Sequence, residues 1–288
     1  MIMSEQVRHV LTLQCPEGMG IVHAVTGFLV EHQRTIVELK QYDDMAAGRL
    51  FLRVEFAGDA EPDLMSSLRE AFTDVAEKYQ MDWQLRERGE KTKVLIMVSK
   101  FDHCLNDLLF RMHTGDLPIE VVGVVSNHPD HRSLVEWYGI DFHHIPVTKE
   151  TKPEAEAQLL EVIDATGAEL VVLARYMQVL SDHLATELTG KTINIHHSFL
   201  PSFKGAKPYH QAWERGVKTV GATAHYVNSE LDEGPIIAQQ VVEVDHTYGP
   251  KELTAAGRDS ECKALSDAVR WHCEGRVFLY GNRTVVLR

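Results

Sequence analysis

The 288-residue sequence predicts an α/β protein in two parts, an N-terminal βαββαβ domain followed by a larger doubly wound domain. Three observations carry that prediction. Up to residue 86, apolar residues alternate between period 2 and period 3.6, in the order strand, helix, strand, strand, helix, strand. Arg86-Glu-Arg-Gly-Glu-Lys-Thr-Lys93 then contains no aliphatic residue and reads as a solvated linker. Beyond it come nearly continuous apolar runs, separated by segments long enough to be crossover helices.

Each element has its own signal. Val10, Leu11, Leu13 and Cys15 suggest a buried first strand. Ile21, Ala24, Val25, Phe28 and Leu29 fall at i, i+3, i+4, i+7 and i+8, one apolar helix face. Thr35–Lys40 fits a second strand, and Leu50, Leu52, Val54 and Phe56 put one side of a third against a core. Leu64, Leu68, Ala71, Phe72 and Val75 make a second amphipathic helix, and Met81, Trp83 and Leu85 alternate in a last strand. The expected unit is a single sheet with two helices on one face, over residues 7–86, with a linker at 87–93. In the domain expected over 94–288, Val94–Val98, Val121–Val125 and Leu170–Leu173 lack polar alternation, as parallel strands covered on both faces do. Leu105–Met112 and Pro153–Thr166 are the crossover helices, and the active site is expected at the carboxyl ends of the strands.

Composition narrows the function classes. A formal charge of −13, from 42 acidic and 29 basic residues, would repel a polyphosphate, so nucleic-acid binding is not expected. The four cysteines, Cys15, Cys104, Cys262 and Cys273, form no CxxC pair and read as buried thiols of a reducing compartment. No apolar run approaches the length of a membrane span, and the N-terminus lacks a signal-peptide pattern. The expected location is the cytoplasm.

The chemistry-bearing residues cluster late in the chain. Lys191–Pro201 begins as a strand and breaks near Ser198, which places Asn194, His196 and His197 near a strand end. Asn194 and His196 are two apart and project from one side, an amide donor beside an imidazole, suited to holding a developing oxyanion. Gly221–Asn228 reads as another strand leading into Ser229-Glu-Leu-Asp-Glu-Gly-Pro235, where Asp232 could swing back over the strand ends as a base. Taken alone, the His-His pair also fits packing, and an Asp before Glu-Gly-Pro also fits a turn former. No HxxxH or HxH arrangement stands at ligand spacing with a Cys or Asp, so no metal is expected.

Two resemblances sharpen this reading. Cys15-Pro-Glu-Gly-Met-Gly-Ile-Val22, a strand end, a turn and a helix start, resembles the ACT domain, a βαββαβ module that often binds amino acids. Glu17 stands where that turn usually carries Asp. The resemblance implies an ACT-like regulatory or oligomerisation domain, a homo-oligomer, and an amino-acid effector or none. Asn194-Ile-His-His-Ser-Phe-Leu-Pro201 with Phe203, Gly205 and Gln211, and the later Leu231-Asp-Glu-Gly-Pro235, resemble the N-I-H-x-S-x-L-P and L-D-x-G-P motifs of folate-dependent formyltransferases. That likeness covers the whole second domain and implies a Rossmann-like formyltransferase fold. It further implies Asn194 and His196 as the oxyanion-stabilising and proton-managing pair, and Asp232 as the base. Val171–Ser181 resembles the folate pocket, with Met177, Val179 and Leu180 against the pterin, and His225 matches a supporting histidine. His197, standing where the transferases carry proline, is counted with the substrate-binding residues.

The departures bear on the reaction. Val98-Ser-Lys-Phe-Asp-His-Cys-Leu105 has no glycine where the glycinamide ribonucleotide transferases cradle a phosphate on backbone N–H groups. The basic C-terminal domain of the tRNA-directed relatives is missing, and Phe278–Val285 reads as a hairpin with a Gly-Asn turn. Water is then the remaining nucleophile. The combination resembles the formyltetrahydrofolate deformylases, nearly end to end. It implies hydrolysis of 10-formyltetrahydrofolate to formate and tetrahydrofolate, supplying purine synthesis, with no cofactor beyond the folate substrate. The alternatives are a formyltransferase acting on a small amine and a catalytically idle folate or amino-acid sensor.

Overall fold

A computed structural model describes residues 6–60, 62–200 and 208–288. Pro201, Phe203 and Gly205 of the formyltransferase-like motif lie outside the described residues. The chain divides into two compact units, each considered by itself.

The first unit runs β1 (Gln6–Pro16), α1 (Ile21–Glu31), β2 (Thr35–Asp44), β3 (Arg49–Asp59), α2 (Leu64–Lys78) and β4 (Asp82–Glu87), the predicted βαββαβ order. Its strands form one antiparallel sheet in the order β2-β3-β1-β4. Leu11, Leu13, Leu52 and Val54 from the sheet share one core with Val25 and Leu29 of α1 and Leu68 and Phe72 of α2, so both helices lie on the same face. Within α2, Ala76 rather than Ala71 is buried.

The opposite face departs from the expectation of a one-sided sheet. Phe51, Arg53 and Glu55 of β3 are buried as fully as their inward neighbours, at 0%, 2% and 5% exposure. The cover comes from the end of the chain, because Glu274–Phe278 and Val285–Arg288 belong to this unit and not to the second. Phe51 meets Phe278 edge to face at 5.7 Å, and Arg53 Nε donates to the Glu274 carbonyl at 3.1 Å. Arg53 also pairs with Glu38 at 2.7 Å, and Arg276 reaches the same carboxylate at 3.5 Å. The expected boundaries are corrected accordingly: residues 94–288 are not one unit. The linker is also shorter than 87–93, since Glu87 closes β4 and β5 opens at Thr92.

The second unit is built on β5 (Thr92–Val98), β6 (Ile119–Ser126), β7 (Phe142–His144), β8 (Leu170–Leu173), β9 (Thr192–His196), β10 (Thr219–Tyr226) and β11 (Ile236–Glu243). The helices are α3 (His103–His113), α4 (Arg132–Trp137), α5 (Lys152–Thr166), α6 (Asp182–Glu187), α7 (Pro208–Glu214) and α8 (Pro250–Cys273). The sheet order is β11-β10-β9-β8-β5-β6-β7. Leu95 and Met97 pack with Leu159 of α5 and Leu184 of α6, while the alternate residues Val94, Ile96 and Val98 are equally buried, so both faces are covered as the apolar runs predict.

The sheet is mixed, which corrects the expectation of a parallel one. β7, β6, β5, β8 and β9 are parallel, but β10 runs antiparallel to both β9 and β11. The connection from β10 to β11 has no crossover helix, and strands joined that way pair antiparallel. The chain closes with β12 (Val277–Tyr280) and β13 (Arg283–Val286), a two-stranded sheet turning at Gly281, where φ is 57°. Among the described residues, no helix is long and apolar enough to cross a membrane.

If the buried guanidinium holds the chain terminus to the first sheet, Arg53→Ala removes its bond to the Glu274 carbonyl and its pairing with Glu38, which keeps Arg276, and should lower stability by about 1–3 kcal/mol in urea unfolding. Arg8→Ala, whose side chain is 52% exposed beside Glu55, should change it by less than about 1 kcal/mol. Equal effects would refute this clamp.

Candidate active site

A cavity of about 290 Å³ opens at the carboxyl ends of β8 and β9. All eight candidate residues line it: Asn194, His196, His197 and His225, with Asp232, Met177, Val179 and Leu180. Met177 and Val179 are more than half exposed, apolar side chains held open on the wall. Gln211 lies in α7 and is not part of the lining.

The antiparallel pairing of β10 and β9 sets the geometry. It places His225 opposite Asn194 and Thr223 opposite His196. His225 Nδ1 lies 2.8 Å from the Tyr226 carbonyl, which only accepts, so that nitrogen carries the proton. Nε2 is left to accept from Asn194 Nδ2 at 3.2 Å. Burial holds the His225 pKa below its ordinary value, so the ring is neutral. The Asn194 amide is thereby oriented, with its second N–H left to donate.

Asp232 arrives from the β10–β11 connection. Its φ is 59°, left-handed, and the turn is pinned by Tyr226 N donating to the Pro235 carbonyl at 2.9 Å. Gly234 is needed there, since a Cβ would overlap the Tyr226 carbonyl oxygen. Asp232 Oδ1 lies 3.2 Å from His196 Nδ1 and 3.8 Å from His225 Nε2. A carboxylate only accepts, so His196 Nδ1–H donates. That hydrogen bond, aided by the neighbouring histidines against the opposing effect of burial, holds the Asp232 carboxyl below the usual range. The other nitrogen of His196, Nε2, lies 2.9 Å from Ser198 Oγ. Thr223 Oγ1 fixes the segment beyond β9 by donating to the Ser198 carbonyl at 3.0 Å and accepting from Leu200 N at 3.1 Å. His197 stacks on His196 at 4.8 Å, and burial, aided by the Arg175 charge, pushes its pKa down to about 4.

Several residues escaped the sequence reading. Ser99 Oγ donates to Asn127 at 2.7 Å and accepts from Met177 N at 2.9 Å, tying the ends of β5, β6 and β8. Arg175, with φ 65°, lines the cavity 3.4 Å from Glu261. Glu261, 1% exposed, accepts from His103 Nε2 at 2.6 Å and from Tyr209 OH at 3.0 Å. His103, Cys104 and Glu261 place three metal-ligand atoms within 4.8 Å of one another. Their chemistry does not fit a cation. Both Glu261 oxygens already accept hydrogen bonds, Arg175 meets its charge, and the Cys262 thiol and burial push Cys104 well up, keeping it a thiol. The linear spacing hid this cluster, because α3 and α8 are far apart in sequence.

Comparison with known proteins bears on both units. Residues 92–269 match the formyl transferase family. The chain is 88% identical to a formyltetrahydrofolate deformylase of Corynebacterium sp. (strain P-1), over 99% of this chain and 100% of that one. It is 46% identical to a formyltetrahydrofolate deformylase of Bacillus subtilis (strain 168), over 96% and 92% of the two chains. A crystal structure of formyltetrahydrofolate deformylase from Burkholderia mallei superposes with TM-score 0.93 at 52% identity, covering 98% of this chain and 100% of that one. Glycinamide ribonucleotide transformylase 1 from Symbiobacterium toebii superposes with TM-score 0.65 at 30% identity, over 71% of this chain and 98% of its own.

The His197 shift carries a stability consequence. Its folded pKa is depressed, so below about 6.5 the unfolded chain takes up the proton first. Stability at this site is therefore full above about pH 6.5 and lost as pH falls towards about 4. The melting temperature should fall across that window, and the fall should be shallower in His197→Gln; an unchanged slope would place the sensitivity elsewhere.

Proposed function

This chain belongs to the formyltetrahydrofolate deformylases, and from that premise we propose a mechanism in which Asp232 is the base. The reaction is hydrolysis of 10-formyltetrahydrofolate to formate and tetrahydrofolate. The observation that carries the mechanism is the Asp232–His196 pair at 3.2 Å, inside a cavity shared with Asn194.

Asp232, kept ionised by His196, accepts a proton from water as the oxygen attacks the formyl carbon. The uncommitted N–H of Asn194 donates to the developing oxyanion. His196 steadies Asp232 through Nδ1–H, while its Nε2 accepts from Ser198 Oγ, so the imidazole is held in one orientation beside the reacting carbon. As the C–N10 bond breaks, Asp232 returns its proton to N10, and formic acid loses its own to solvent. Met177, Val179 and Leu180 take the pterin on the apolar wall. The substrate is the only organic group the scheme requires.

The reading extends beyond the site. The first unit is taken as an ACT-like module that binds an amino-acid effector near the turn before α1, where Gly20 has φ 87°. A homo-oligomer is taken to form through that unit, whose edge strand β2 exposes Val37 and Tyr42. Formate is supplied to purine synthesis in the cytoplasm.

Asp232→Asn should fold normally and lose on the order of 10²–10⁴-fold in kcat, the range of a positioned general base. Near-full turnover by the folded variant would remove Asp232 from this role.

A further inference from the structure

Arg175 stands just beyond the end of β8 in the left-handed region, at φ 65°. A side chain is held there at a cost that glycine would not carry, so the guanidinium has a use. Its backbone is fixed by Ser99 N, which donates to the Arg175 carbonyl at 3.2 Å. The side chain is 11% exposed and lines the cavity with Asn194, His196 and Asp232. It stacks over Phe101 at 5.5 Å and faces Glu261 at 3.4 Å.

Nε makes an ion pair with Glu261 without a hydrogen bond, and the two terminal nitrogens donate to none of the described residues. Glu261, which already accepts from His103 and Tyr209, meets the guanidinium only on its Nε side. A cation is thus held at the wall of the reaction cavity with the N–H donors of its two terminal nitrogens uncommitted. Such a fork matches a carboxylate.

We propose that Arg175 forms a carboxylate subsite that receives the formate released at the reacting carbon. Formate is the anion that the hydrolysis generates inside this cavity, beside the ionised Asp232 that would repel it. Arg175 offsets that repulsion until product leaves. The proposal rests on the hydrolase reading. A carboxylate of the folate itself offers the same chemistry from a second source, and the experiment separates the two.

The test is inhibition of 10-formyltetrahydrofolate hydrolysis by added sodium formate, with tetrahydrofolate affinity measured separately by fluorescence titration. In Arg175→Gln the formate inhibition constant should rise about tenfold or more, as expected for loss of a charge-assisted pair, while tetrahydrofolate affinity holds. Arg175→Lys should fall between, retaining charge without the fork, and it keeps the test open if Arg175→Gln fails to fold. An unchanged formate constant in the folded variants overturns the proposal. A loss confined to tetrahydrofolate affinity assigns the subsite to the folate and overturns it too. Absence of formate release by the wild-type protein would instead strike at the hydrolase reading.

Discussion

Because β10 runs antiparallel beside β9, residues that are about thirty positions apart in sequence face one another across two strands. That pairing sets His225 against Asn194, and its short return to β11 carries Asp232 back over His196. β10 ends beside the start of β9, where Val227 N donates to the Thr192 carbonyl, so the return to β11 has to fold back to bring Asp232 to His196. The direction of one strand therefore positions base, imidazole and amide together. Proton positions follow from it: a carbonyl fixes the tautomer of His225, and a carboxylate directs the Nδ1–H of His196.

Around this centre the second unit is braced by buried polar groups rather than by apolar packing alone. Ser99 joins three strand ends, and Glu261 gathers His103, Tyr209 and Arg175. Buried charge of this kind is costly unless it is paired, so the cluster serves to hold Arg175 at the cavity wall rather than to add net stability. The first unit uses the same device elsewhere, with Arg53 between two carboxylates and the Glu274 carbonyl.

Much of this was legible in the sequence, where a local period or a long motif exposed it. The βαββαβ order of the first unit follows from residues such as Leu11, Leu52 and Leu68, whose spacing alone selects an inward face. The eight candidate residues share one cavity, and they were found through the two formyltransferase-like motifs and the likeness of Val171–Ser181 to a folate pocket, with the apolar runs marking the strands. What was not legible is long-range. Nothing near Arg53 says that Glu274 and Phe278 will cover it, since that contact joins residues more than 200 apart. The strand direction of β10 was hidden for the same reason, as a buried apolar run reads alike in either direction. Ser198 stood inside the motif, but its hold on His196 Nε2 depends on how the chain bends after β9.

The most direct test of water as the nucleophile is a turnover of 10-formyltetrahydrofolate in H₂¹⁸O with no amine present. The account predicts formate carrying one solvent oxygen, formed in equal amount with tetrahydrofolate. Formate without solvent label, or consumption of the folate only when an amine is added and becomes formylated, would contradict it.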